Sequence, residues 1–496
     1  MTRALRVAAV LLLPVAAQHA AAQSVRGRVD ASAQAVSFRG LKPDSAERDS
    51  VVTTPSGGFE SPEGFAVRCG AGAFCAFLRP GPVRRALPLT ATASAVAWGL
   101  GVEGLSLHAS ARLIADISGS DVWPGASPFA QLLEGFAEYT RSYERGTLRA
   151  RGGRQLLTSR LEPMGFDGAW ANVRLASIPV EGTLYAGWGL GQASALPVSS
   201  PALNPLDEWR PRQRQWVVGG DASWSNEIVD VRGEYRREID PEDHNFVSER
   251  AAVSAVARLP YVRVNASFDY NIAEGRFGSA DLTGTYAVPR YSASMTVRRY
   301  RPYFSLWTLW GAFSPAGYDA INASGRYELN AELAFRARVE RYWYDNADVS
   351  TQLVTGLKDR GWRSSASVTA TVNPRWTLDG TAGYDAGPGA SGSTLEASAD
   401  YAKSATLTVG GDAGVIQRPL ELRFYDATSR WIGVHASWQA TQARRVWGDL
   451  AFVGDDRSRP DAGSSSMDQV RLRAGASLTF GRGADRVPLP PARPQR

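Results

Sequence analysis

Alternation of apolar and polar residues, held over ten to thirteen positions at a time and broken by turn signals, constrains this sequence more than any other feature. From Val229 to Arg236 the odd positions read Val, Val, Gly, Tyr and the even ones Asp, Arg, Glu, Arg. In an extended strand the two sets point to opposite faces, so the segment has one apolar and one charged side. Val262, Val264, Ala266, Phe268 and Tyr270 likewise oppose Arg263, Asn265, Ser267 and Asp269. Ala331, Leu333, Phe335, Ala337 and Val339 oppose Glu332, Arg336, Arg338 and Glu340, and Val470, Leu472 and Ala474 oppose Arg471 and Arg473. A soluble β-sandwich or propeller alternates too. Here the apolar face persists for about nine or more residues, enough to cross a bilayer at about 45° tilt. Aromatic pairs mark its ends (Trp216 and Trp224, Trp376 and Tyr384, Trp431 and Trp438), as interfacial girdles do. No blade-length repeat occurs. The fold class expected is all-β, a transmembrane up-and-down antiparallel barrel.

Connection lengths give its orientation. Tight turns at Asn226-Glu227, Pro260, Pro289-Arg290, Asn373-Pro374 and Lys403-Ser404 alternate with long links. These run from Gln192 to Pro211, Pro302 to Ala316, Asp345 to Arg360, Gln417 to Ala427 and Gly454 to Met467. Short periplasmic turns and long extracellular loops are the outer-membrane pattern. Segments from Leu89 onward number twenty-one, and Val25 to Ala35 supplies one more, because single-chain bacterial barrels have even counts. The expected number is twenty-two, or twenty if the first two segments form a separate β-unit.

The expected organisation is a signal peptide over 1–22, a barrel over 23–480 and a Pro/Arg-rich periplasmic tail over 481–496. Arg3 and Arg6 precede an apolar run from Val7 to Ala17, and Ala20-Ala21-Ala22 offers a cleavage site. Mean hydropathy of −0.23 is what a barrel gives, because each lipid-facing residue is followed by a polar one. A net charge of +6 is too mild an excess to argue for nucleic acid. The link 42–88, a long loop or small β-unit, carries Cys69 and Cys75, whose spacing in an exported chain reads as a disulfide-closed loop.

Function is sought on the polar face. By parity it holds Arg149, Arg151, Arg174, Arg232, Arg236, Arg263, Arg298, Arg326, Arg336 and Arg338. Asp230, Glu234, Asp379, Glu396, Asp400, Asp412 and Asp449 share that face. Arginines dominate up to Arg338 and acids from Asp379 to Asp449, which sets a basic wall against an acidic one across a closed barrel. Charged walls act as selectivity elements in a pore; neighbouring ion pairs also brace it. Twenty-two strands enclose a lumen wide enough to need narrowing. The link 42–88 and the apolar stretch Tyr303 to Phe313 are the expected narrowing elements.

Arg149-Ala-Arg151-Gly-Gly-Arg154-Gln155, followed by Gly165-Phe166-Asp167-Gly168, resembles the arginine-rich "GRQ" strand of porin-like and alginate-export-like Gram-negative outer-membrane barrels. Barrels of the alginate-export type have fewer strands. The resemblance implies that Arg149, Arg151 and Arg154 line an anion-friendly passage. Parity puts Arg154 on the other face, and a bulge at Gly152-Gly153 would reconcile the two. The strand ending at Phe480 resembles the C-terminal signal read by the barrel assembly machinery. His108, His244 and His435 are scattered, and no nucleophile elbow or metalloprotease motif occurs, so no enzyme, cofactor or metal site is expected. The expected function is a porin-like channel in the cell outer membrane, transporting small polar or anionic solutes by diffusion. Outer-membrane lipid, lipopolysaccharide and the assembly machinery are its expected partners. The alternative is a structural, export or docking barrel.

Overall fold

In the computed structural model the described residues are 24–53, 59–65, 67–116, 118, 129–161, 163–190, 213–241, 246–300, 317–344, 360–387, 390–417, 426–459 and 463–481. They contain twenty-six strands, β1 to β26 in chain order. β1 (Ser24–Glu47) pairs antiparallel with β26 (Gly463–Gly481) on one side and with β6 (Pro88–Trp98) on the other. From β6 every strand pairs with the next as far as β26, so β1 closes a ring of twenty-two strands. At about 4.8 Å between strands and about 40° of tilt the ring is roughly 140 Å round and 44 Å across, backbone to backbone.

Both chain ends of the ring lie at the edge of short turns, where Gly481 pairs with Arg26 and Ser24 with Trp98. The turns themselves are built from side chains. Asn226 Oδ1 accepts from the backbone amides of Ile228 and Val229, Asn330 Oδ1 from those of Glu332 and Leu333, and Asn373 Oδ1 from those of Arg375 and Trp376. A short polar side chain that mimics a backbone carbonyl reverses the chain in two residues.

Register fixes the faces. Directly paired residues share a face, and following the pairs round the ring returns to the starting face with no slip in parity. The outward set is apolar: Leu184, Val218, Leu282, Ile321, Val339, Phe452 and Leu472 are each 39% or more exposed. A continuous apolar belt of that kind belongs in lipid. Trp216 and Trp224 lie outward near opposite ends of one strand, β12 (Gln213–Ser225), and Trp376 and Tyr384 likewise bracket the outward face of β21 (Trp376–Gly387). Trp431 departs from expectation: it pairs with Gly414 and Val453 on the inward face and donates from Nε1 to Asp412 at 2.9 Å.

Two links hold more strand than open loop. Gly454 to Met467 is mainly a tall hairpin, with β25 (Arg444–Arg459) paired to β26 as far as Arg459 and Gly463. In the 42–88 link, β1 parts from β26 beyond Ala35 and continues paired with β5 (Phe74–Ala86) up to Glu47 and Phe74. β4 (Val67–Cys69) adds a third strand, the disulfide Cys69–Cys75 ties β4 to β5, and Val67, Cys75 and Phe77 are buried with Ala46, Val51 and Phe65. The unit stands as a projection from the rim on the long-loop side. Tyr303 to Phe313 lies outside the described residues.

Candidate functional site

The interior is crossed by a connection that the sequence reading passed over. Between β9 (Gly146–Leu157) and β10 (Met164–Leu175) the chain turns inward. The Arg160 amide donates to Glu234 Oε2 at 2.9 Å, and its guanidinium meets Asp281 at 3.0 Å. Leu161, 1% exposed, presents its carbonyl to Arg250 Nη1 at 3.2 Å and also to Arg236. These partners stand on β13 (Val229–Ile239), β14 (Phe246–Arg258) and β16 (Arg276–Val288), three to six strands away round the ring. The link is therefore a chord through the lumen. Beneath it Met164, Phe166, Tyr185 and Val217 form a buried apolar cluster on the inward face. Gly219 makes room for it, since a Cβ there would lie 2.4 Å from the Tyr185 hydroxyl.

Electrostatics explain why the chord is held. Arg236 and Arg250 sit directly opposite one another across β13 and β14, each 3% exposed. Like charges in register repel, and burial sharpens the cost unless an acceptor lies between them. The Leu161 carbonyl is such an acceptor, with Glu238 at 3.2 Å from Arg236 and Asp269 at 4.0 Å from Arg250.

In the register, the charges selected by parity share the face that holds the chord and its apolar cluster. Arg149, Arg151 and Arg174 oppose Asn172, Trp170 and Glu181; Arg232, Arg263 and Arg298 oppose Ser223, Arg258 and Asp281. Arg151 bonds Glu138 at 2.6 Å and lies over the rings of Phe136 and Trp170 at 5.1 and 4.4 Å. Arg232 meets Asp221 and Glu234 at 3.2 and 3.1 Å, while Asp230 pairs with Arg258. Asp379 accepts from Thr369 at 2.6 Å, Asp400 meets His435 at 2.7 Å, and Asp449 meets Arg473 at 3.0 Å. Glu396 opposes Thr381 and Gly414 on the same face.

Sign is distributed more locally than two facing walls. From β9 to β15 (Val262–Asn271) most arginines have a carboxylate beside them. Three inward arginines gather on β18 (Tyr318–Glu328) and β19 (Leu333–Tyr344), close beside the acids of β21 onward. Arg326, Arg336 and Arg338 line a recess of about 330 Å³ together with Thr285, Ser292, Ser294, Ser324, Ser365 and Ser367. Arg326 leans on Glu328 at 2.6 Å and Arg338 on Glu340 at 2.8 Å. Among the described residues, Arg336 has no carboxylate within salt-bridge distance. The recess lies on the turn side of Asp281, immediately past the chord.

Arg154 corrects the motif-based expectation. It points outward and forms a two-pronged pair with Asp167, 2.8 Å on each arm. β9 runs without a register shift past Gly152 and Gly153, so no bulge turns Arg154 inward. Gly153 adopts φ +129°, and a Cβ there would lie 2.3 Å from the Gly135 carbonyl oxygen. The bulge lies on β8 (Phe129–Tyr143), where the register shifts between Glu134 and Leu132.

No family profile and no curated protein sequence matches this chain. Among solved structures it is similar to the Pseudomonas aeruginosa outer-membrane protein OpdK, at 9% identity over 93% of this chain and 100% of that one, TM-score 0.41. It is similar at 10% identity to P. aeruginosa OccK2 (OpdF) in complex with glucuronate, covering 93% and 100%, TM-score 0.41. The KdgM porin, in complex with disordered oligogalacturonate, aligns with 41% of this chain and 92% of its own at 12% identity, TM-score 0.21.

Proposed function

We propose that this barrel is a passive, anion-preferring channel of the outer membrane that admits small polar solutes. The carrying observation is the recess at Arg326, Arg336 and Arg338, set on the inward wall just past the chord. A solute entering from the loop side is steered around the chord and then meets an arginine without a carboxylate, ringed by hydroxyls. A guanidinium favours an anionic group, and the serines and threonines replace part of the solute's water shell. The other inward charges are read as a braced lining that keeps the lumen wet. The test is planar-bilayer recording of the purified barrel in a KCl gradient, with uptake of glucuronate compared with glucose in liposomes. Steady current with an anionic reversal potential supports the reading; folded barrel that carries no current refutes it. The rim projection favours a second reading, a docking barrel, because Phe59 and Phe74 stand 47% and 59% exposed on it. Absence of current from folded protein would select that reading.

A further inference from the structure

The outward face carries charge as well, at the level of the aromatic girdle on the long-loop side. In most places it comes as opposite neighbours: Arg154 with Asp167, Arg430 with Asp456 at 3.5 Å, and Arg237 in register with Glu249. Such pairs present no net charge to a lipid headgroup. The sector formed by β17 (Tyr291–Tyr300), β18, β19 and β20 (Arg360–Asn373) differs. Its outward face there carries Arg299, Arg341 and Arg360 against the single carboxylate of Asp319, among the described residues.

Arg341 is in register with Trp362, and Arg360 stands two residues further along that strand, opposite Trp343. Their α-carbons are thus diagonal neighbours, about 7 to 8 Å apart, which lets two long guanidinium side chains converge on one tetrahedral anion. The Arg341 guanidinium lies 5.8 Å from the ring centre of Trp343, and Trp362 packs edge-on to Tyr384 at 6.3 Å. Asp319 is in register with Arg299, 3.8 Å away, which leaves Arg341 and Arg360 in surplus. Immediately below, Ile321, Val339 and Val297 are exposed and apolar, a surface for acyl chains.

We propose that this sector binds a phosphorylated glycolipid of the outer leaflet, with the phosphate held between Arg341 and Arg360, the sugar against Trp343 and Trp362, and the acyl chains on the apolar strip. The inference rests on the outer-membrane reading and is independent of what passes through the lumen. Neither arginine faces the interior, so conductance and lipid binding fail separately.

The test uses the full-length barrel, delipidated in detergent and followed by native mass spectrometry. It is titrated with diphosphoryl lipid A and with the same lipid after enzymatic dephosphorylation. The native barrel should hold the diphosphoryl form at least about tenfold more tightly. R341A/R360A should abolish that preference and leave single-channel conductance unchanged, whereas R154A/D167A should keep it. Equal binding of both lipids by the native protein overturns the proposal whatever the variants do. So does a folded R341A/R360A barrel that retains the preference.

Discussion

Arg336→Glu is the sharpest probe of the inward wall, because this guanidinium faces the lumen with no carboxylate partner among the described residues. Reversal changes the local charge by two units. At about 7 Å from the charge, in water with a Debye length of about 10 Å, each unit is worth about 0.3 kcal/mol to a passing monovalent ion. Two units amount to about 0.6 kcal/mol, close to RT, and so to a factor of about three for one ion. Anions lose that factor and cations gain it, so the anion-to-cation permeability ratio should fall about sevenfold. The assay is the zero-current potential across a planar bilayer with a tenfold KCl gradient. Arg341→Ala, which points outward, serves as the control. A ratio within twofold of the native value for a folded Arg336→Glu barrel would refute the idea that solutes pass the recess.

Releasing the chord should widen the pore: Arg160→Ala, or Asp281→Asn, is expected to raise single-channel conductance and its open-state noise, and unchanged traces would show that the link does not narrow the path. Gly153→Ala places a Cβ 2.3 Å from the Gly135 carbonyl in a backbone region that favours glycine, and should destabilise the barrel by about 1 to 3 kcal/mol, read from urea unfolding in detergent. Cys69→Ser with Cys75→Ser removes a short closed loop worth about 2 kcal/mol by chain entropy. It should therefore speed proteolysis of the rim projection while leaving heat-modifiable migration of the barrel unchanged.

Strand number and closure were legible in the sequence, because a period of two survives wherever each strand is half in lipid. The same rule misled where an aromatic was judged by spacing alone: Trp431 and Trp438 differ in parity, and only the second is outward. Arg154 shows the reverse case, where strict parity held against the motif that suggested otherwise. The chord was missed because a link of six residues carries no periodicity. Its signal was indirect. Met164 and Phe166 put apolar side chains on a face that is otherwise polar, and Arg236 faces Arg250, but their opposition is visible only once β13 and β14 are set in register.

The chord also has a mechanical consequence. A ring of twenty-two strands is a thin hoop, and hoops of that breadth flatten easily under uneven side pressure. The strut from Arg160 and Leu161 to Glu234, Arg250 and Asp281 spans the arc between β9 and β16, so that arc cannot bow outward or collapse without breaking a polar contact. The opposite arc, from β17 round to β1, has no strut among the described residues and takes up most of any change in shape. Lateral tension in the membrane should thus be felt first on the side that holds the arginine recess.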